Sequence, residues 1–259
     1  QAIHSSIAAL ALEAGVSEPT VNRFCRSLET RGFPDFKLHL AQSLAHGTLY
    51  VNRNVDEDDS VESYTGKIFE SAMASLDQVH HSLDMSAVNR AVDLLTQAKK
   101  IAFFGLGSSA AVAHDAMNKF FRFNVPVIYS DDIVLQRMSC MNCDDDDVVV
   151  IISHTGRTKS LVELAQLARE NDAMVIALTS AGTPLAREAT LAITLDVPED
   201  TDIYMPMVSR LAQLTVIDVL ATGFTLRRGA KFRDNLKRVK EALKESRFDK
   251  EPFVPSDNQ

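Results

Sequence analysis

Between residues 101 and 195 the sequence returns five times to one pattern, a short apolar run rich in β-branched residues followed by a helical stretch. The runs are Ile101–Gly105, Val125–Tyr129, Val148–Ser153, Met174–Thr179 and Leu191–Leu195. Apolar runs without alternation belong to strands buried on both faces, and helices between successive strands provide the crossovers that parallel pairing needs. The pattern predicts an α/β domain with a five-stranded parallel sheet covered by helices on both sides. At 259 residues and 46% hydrophobic, the chain has material for that core and for a second, smaller domain. The longest apolar stretches, such as Val148–Ile152 and Met174–Leu178, fall far short of the ~20 residues a membrane helix needs. The start, Gln1-Ala2-Ile3-His4, has no secretory pattern and, lacking Met, is expected to be the start of a fragment. Three cysteines, an odd and low number, argue against a disulfide framework and for a reducing cytoplasm.

Asn52–Ser60 breaks the composition, with four acids and no apolar periodicity, and reads as a linker. The organisation that follows is a small all-α domain over 1–51, a linker over 52–60, connecting helices over 61–93, the sheet domain over 94–233 and a C-terminal helix and tail over 234–259. The connecting helices are Val61–Leu83 and Ala87–Ala98, with Ser60 and Ser86 as N-caps. Asp144–Asp147 reads as a solvated turn. The net charge is −8, yet residues 1–53 hold five of the 27 Lys and Arg against four of the 35 Asp and Glu, leaving 22 against 31 for the remainder. A near-neutral module with arginines gathered on one helix can still meet phosphates, because the local patch decides.

Residues 6–28 read as helix, tight turn, helix. Ser6 caps the first helix, Gly15 supplies a residue able to take positive φ, and Ser17 caps the second, with Pro19 in its first turn. Ala11 fits a helix crossing, and Leu10, Val16, Val21 and Phe24 form the inner face. Ser17, Glu18, Thr20, Asn22, Arg23 and Arg26, with Lys37 beyond, are the residues offered to DNA, since Arg suits guanine or phosphate, Asn adenine, and Thr phosphate or a thymine methyl. The same spacing also fits an ordinary helical hairpin. From Val16 to Leu40 the chain resembles the RpiR family of regulators, through Ser17, Pro19, Thr20, Val21, Arg23, Phe24, Arg26 and Leu28, then Gly32-Phe33-Pro34-Asp35-Phe36-Lys37 and Leu40-Ala41. Glu29 departs from the Gly common there, and the helix that precedes the motif in the family is expected to be missing.

Phe104-Gly105-Leu106-Gly107-Ser108-Ser109-Ala110 follows a strand and opens a helix. Its glycines allow a tight turn, and the following helix amides favour an anion. Ala110 replaces the third Gly of a dinucleotide fingerprint, which disfavours a nucleotide. Ser153-His154-Thr155-Gly156-Arg157-Thr158 repeats the chemistry after another strand, so two hydroxyl-rich loops can converge on one phosphate. Together with Ala177–Ser180 and Ser209–Leu214, residues 94–233 resemble the sugar-isomerase (SIS) domain, a flavodoxin-like, doubly wound fold. The resemblance implies a phosphosugar site at Ser108, Ser109, Ser153, His154, Thr155 and Thr158, with no cofactor and no metal. The pairing of domains is the RpiR arrangement. Phe104–Phe123 and Ile203–Arg233 look closest to a branch that represses glucose (Entner–Doudoroff) catabolism genes in response to 2-keto-3-deoxy-6-phosphogluconate. The implied partners are a palindromic operator, that phosphorylated sugar acid and further copies of the chain, as a homodimer or higher oligomer, with Met205–Leu226 and Ala230–Arg247 as the interface helices.

Two other readings stand beside the regulator. An isomerase or lyase on the same fold needs a positioned base, for which His114, His154 and Glu163 are available, although Arg157 occupies a position held by Glu in some SIS enzymes. A redox sensor would use Cys140-Met141-Asn142-Cys143, which lacks a second pair to complete a zinc site. The attached DNA-reading module favours sensing over catalysis.

Overall fold

A computed structural model describes residues 6–28, 30–37, 54–203 and 205–244. Arg53, the match at Leu40-Ala41, the end of the last expected helix and the tail lie outside the described residues. Two compact units divide the chain, one of residues up to Met73 with Asp200–Met205, the other of Ala74–Glu199 with Pro206 onward.

In the first unit, α1 (Ile7–Glu13) and α2 (Glu18–Ser27) form the hairpin. The Ser6 hydroxyl accepts from the Ala9 amide at 3.1 Å and Gly15 turns the chain at φ 65°, as the sequence predicts. Ser17 occupies the N-cap position without capping a backbone amide, its hydroxyl lying 2.9 Å from that of Thr20. The interior differs from the expectation. Val21 and Cys25, one turn apart, are buried with Ala11 and Phe33, whereas Val16 and Phe24 are exposed. Choosing Cys25 rotates the helix so that Phe24 lies at the rim, edge-on to Phe36 with centroids 6.4 Å apart. The acidic run read as a linker is tied to the helix that follows it. Lys67 on α3 (Val61–Ser82) binds Asp59 at 2.6 Å and Asp56 at 3.0 Å, and the Lys67 hydrogen bond leads the causes that hold the Asp59 carboxyl down at about 2.

In the second unit, α4 (Met85–Gln97) is capped by Asp84, whose Oδ1 accepts from the Ser86 and Ala87 amides, so the cap stands two residues before the expected Ser86. Five strands follow, β1 (Lys100–Gly105), β2 (Val127–Ser130), β3 (Asp147–Ile152), β4 (Met174–Thr179) and β5 (Leu191–Thr194). All pair in parallel in the order β2-β1-β3-β4-β5, so the chain winds outward in both directions from β1 and β3. Successive residues feed opposite layers. Ile101, Phe103, Val148, Val150 and Ile152 pack with α4, α5 (Ser108–Phe120) and α9 (Val208–Ala242). Ala102, Phe104, Val149 and Ile151 pack with residues of α6 (Ile133–Met141), α7 (Lys159–Glu170) and α8 (Pro184–Glu188). Gly229, at φ 74° and ψ −162°, interrupts α9 between the two helices expected there. Asp147 is no solvated turn residue. It is buried at the start of β3, where it meets Lys100.

Candidate ligand site and nucleic-acid interface

The strand order places a topological switch point between β1 and β3, where open α/β sheets form their crevice beyond the carboxyl ends of the strands. Gly105 is in register with Ile152, so the loops carrying Ser108, Ser109 and Ser153–Thr158 leave neighbouring strands side by side. A Cβ at Gly105 would stand 2.7 Å from the Ser109 carbonyl, which is why the first loop turns tightly enough to bring Ser109 down to the sheet. Ser109 and Ser153 are both buried. Gln136 lies beneath this loop. Its Nε2 donates to Gly105 O at 3.2 Å and Ser130 O at 2.7 Å, holding the ends of β1 and β2, while its buried Oε1 has no partner among the described residues.

The second loop is braced from two sides. The Ser180 amide and hydroxyl both donate to His154 O, at 3.0 and 2.8 Å. Gly156 takes φ 56°, and a Cβ there would overlap the hydroxyls of Thr179 and Thr183. Thr155 and Thr158 remain at the loop, Thr158 at the N-cap position of α7. The His154 ring turns away to Glu199, its Nε2 3.3 Å from the Glu199 carbonyl oxygen, and since a carbonyl only accepts, Nε2 carries the proton in this contact. The Glu199 carboxylate in turn accepts from the amides of Met207, Val208 and Ser209 and from the Ser209 hydroxyl, closing the start of α9. Burial pushes the Glu199 carboxyl up, but the Ser209 hydroxyl and the three amides outweigh it and hold it below the ordinary value.

The other titratable candidates are engaged with partners of their own. His114 is exposed and stacks on Tyr129 of β2 at 4.9 Å, and Glu163 pairs with Arg137 at 3.1 Å. Cys140 is buried at the end of α6, where burial pushes its thiol up to about 12, and Cys143 donates to Ser139 O. A thiol so placed supplies little thiolate for redox chemistry.

On the first unit, Glu18, Arg23 and Arg26 are exposed on α2, and Arg23 donates to Thr20 Oγ1 at 3.2 Å, linking Ser17, Thr20 and Arg23 in one surface chain. Lys37 stands over the Phe33 ring at 5.8 Å. Asn22 does not join that face with its carbonyl, because Oδ1 accepts from the Phe33 amide at 3.1 Å. Sequence reasoning missed Gln136 and Glu199, whose partners lie in other strands or ten residues away. The Asp132 cap, four residues before Gln136, is the one local signal that placed it on an inward turn.

The family description "Helix-turn-helix domain, rpiR family" matches residues 1–47, and "SIS domain" matches residues 94–223. The HTH-type transcriptional regulator HexR of Escherichia coli K12 is 91% identical over 258 residues, spanning 100% of this chain and 89% of its own length. This chain belongs to the HexR family of RpiR-type transcriptional regulators. As in that family, a DNA-binding helix-turn-helix module precedes a sugar-phosphate-responsive SIS domain. The HexR of Pseudomonas aeruginosa is 58% identical over 248 residues, 96% of this chain and 87% of that one. The Vibrio vulnificus NanR protein complexed with ManNAc-6P shares the fold at a TM-score of 0.66, with 24% identity over 95% of this chain and 88% of its own. Among the described residues, no helix is long and apolar enough to cross a membrane.

Proposed function

We propose that this HexR-family chain is a cytoplasmic, dimeric repressor that leaves a palindromic operator when its SIS domain binds a phosphorylated sugar acid. The resemblance points to 2-keto-3-deoxy-6-phosphogluconate, and so to genes of glucose catabolism. One observation carries the reading. Two hydroxyl-bearing loops, at Ser108–Ser109 and Ser153–Thr158, leave adjacent strands at the switch point, each tied down by the protein's own carbonyls and amides. That a solved SIS-containing relative is described with a sugar phosphate bound supports the phosphate end of the ligand. The effector must bind two conformations of the dimer unequally, since equal affinity shifts nothing.

The non-catalytic reading is supported by the side chains that an isomerase would need. Glu199, whose backbone carbonyl the His154 ring reaches, spends its carboxylate lone pairs on three amides and a hydroxyl, and a base held below its ordinary pKa moves protons poorly. Replacing Ser109 or Ser153 with Ala removes a hydrogen bond to a charged group, worth roughly 1.5–3 kcal/mol, so effector binding should fall about ten- to a hundredfold while operator binding without effector persists. Arg23→Ala or Arg26→Ala should cost roughly 1–3 kcal/mol of operator binding and leave effector affinity alone. Titrations of operator DNA and effector with these four variants test the assignment. Wild-type effector response in both serine variants refutes the site, and product formation from the sugar phosphate replaces the regulator with an enzyme.

A further inference from the structure

We infer that Arg210 is the cation that receives the carboxylate of the effector and so determines selectivity for a sugar acid over an uncharged sugar phosphate. The inference rests on the phosphosugar reading of the two loops. Arg210 lies in the first turn of α9 and lines a cavity of about 220 Å³ with Ala111, Val112, Met207, Leu211 and Leu214. Its Nε is buried without a hydrogen-bond partner, and Arg210 forms no ion pair among the described residues. A guanidinium that is partly desolvated against apolar walls and left without an anion is costly, and the planar fork of its donors matches a carboxylate.

The cavity is connected to both loops by the chain itself. Ala111 and Val112 stand three and four residues after Ser108, hence on the same face of α5 as the residue that opens that helix. On the other wall, Met207 and Arg210 flank the turn that Glu199 closes, and Glu199 is the residue the His154 ring reaches from the second loop. Among the described residues this cavity combines apolar walls from α5 and α9, the helices that begin beside the two loops, with one positive charge, that of Arg210. The carboxylate at the far end of a phosphorylated sugar acid supplies the missing anion, and the pairing is strengthened because the walls exclude water.

The test uses the full chain and a matched pair of probes, 2-keto-3-deoxy-6-phosphogluconate and its isosteric C1 carboxamide, with calorimetric titration of each. The wild type is expected to bind the acid at least tenfold more tightly than the amide. Arg210→Met is expected to bind both at the level of the wild type with the amide, and Arg210→Lys, which keeps the charge but not the fork, to lie between them. Ser109→Ala should weaken both probes alike and keep their ratio. Equal binding of the two probes by the wild type, or an unchanged ratio in Arg210→Met, overturns the role of Arg210 while leaving the phosphate site standing. Failure of the wild type to bind either probe overturns the effector reading itself. If Arg210→Met does not fold by circular dichroism, the wild-type ratio and Arg210→Lys still decide the matter.

Discussion

Lys100 Nζ and Asp147 Oδ2 meet at 2.5 Å across the first rung of the β1–β3 ladder, where their Cα atoms are direct register partners. Asp147 is almost wholly buried and Lys100 about a quarter exposed. Because the side-chain period of a strand is two, a slip of one residue would reverse every side chain between the two layers, and this ion pair adds a charge penalty to that error. It also sets where the opposite ends of the two strands, and so the two hydroxyl loops, come to lie.

Removing one partner leaves a charge in a poorly solvated place. Asp147→Ala is expected to destabilise the chain by about 2–3 kcal/mol, below the range for a fully buried pair because Lys100 can reach water. Replacing both, as Lys100→Met with Asp147→Leu, should recover most of that loss. Denaturant unfolding of the single and double variants measures it, and a double variant as unstable as the single would remove the ion pair as the reason.

Asn22 separates a structural from a DNA-reading role. Asn22→Ala orphans the Phe33 amide and is expected to cost about 1–2 kcal/mol, whereas Asn22→Asp keeps an acceptor and should melt close to wild type. A Cβ at Gly32 would stand 2.8 Å from the same Oδ1, and Gly32 takes φ 144°, so Gly32→Ala should break the latch as well. Thermal melts of the three variants give the order, and a wild-type melt for Asn22→Ala would contradict it.

Glu199 should write itself into the pH dependence of stability. Its folded pKa is depressed, so its contribution is present above the ordinary value of 4.5 and is lost as pH falls through the lower folded value. Glu199→Gln should lose about 1–2 kcal/mol at pH 7, the scale of a helix cap. That deficit should shrink as the pH is lowered below about 4.5, because the wild type then gives up the same interaction. Parallel unfolding curves from pH 7 to pH 3 check both the size and the sign.

Gly156→Ala tests the brace behind the second loop. The position combines φ 56° with side-chain oxygens of Thr179 and Thr183 where a Cβ would go, so the loop must move. A loss of at least 1–3 kcal/mol is expected, with effector binding weakened more than operator binding. Operator release titrated with effector would show it as a rightward shift, and an unshifted curve would mean that the loop tolerates the displacement.

The strands were legible because Val148–Ile152 and its counterparts are β-branched runs with no competing helical period, and β2 alone starts late, at Val127, because Pro126 has no amide to give its neighbour. That the two hydroxyl-rich loops follow strands was legible from the Gly and hydroxyl spacing after each apolar run, and their convergence was expected from chemistry, but the strand order that puts β3 beside β1 instead of beside β2 was not written locally. Local chemistry also left ties between rivals. Asp84 and Ser86 are both good caps, and Phe24 and Cys25 both fit an inner face, so the choice falls to packing. Gln136 reaches Gly105 at the end of β1 and Glu199 reaches forward to the start of α9 and back to His154, and no helical or strand period in the sequence marks those contacts.

The two loops hang from the most deeply buried pair of strands in the sheet, β1 and β3. Amide protons there are expected to exchange only when the whole domain opens, which would put the candidate site at the slowest end of the molecule's exchange spectrum. An effector bound at such a place cannot signal by quieting the sheet, which has no looseness left to lose. Its message has to travel as a small rigid displacement of the helices that start at the loops, and deuterium uptake on effector binding should therefore change at the openings of α5, α7 and α9 while the strands that carry the serines stay silent.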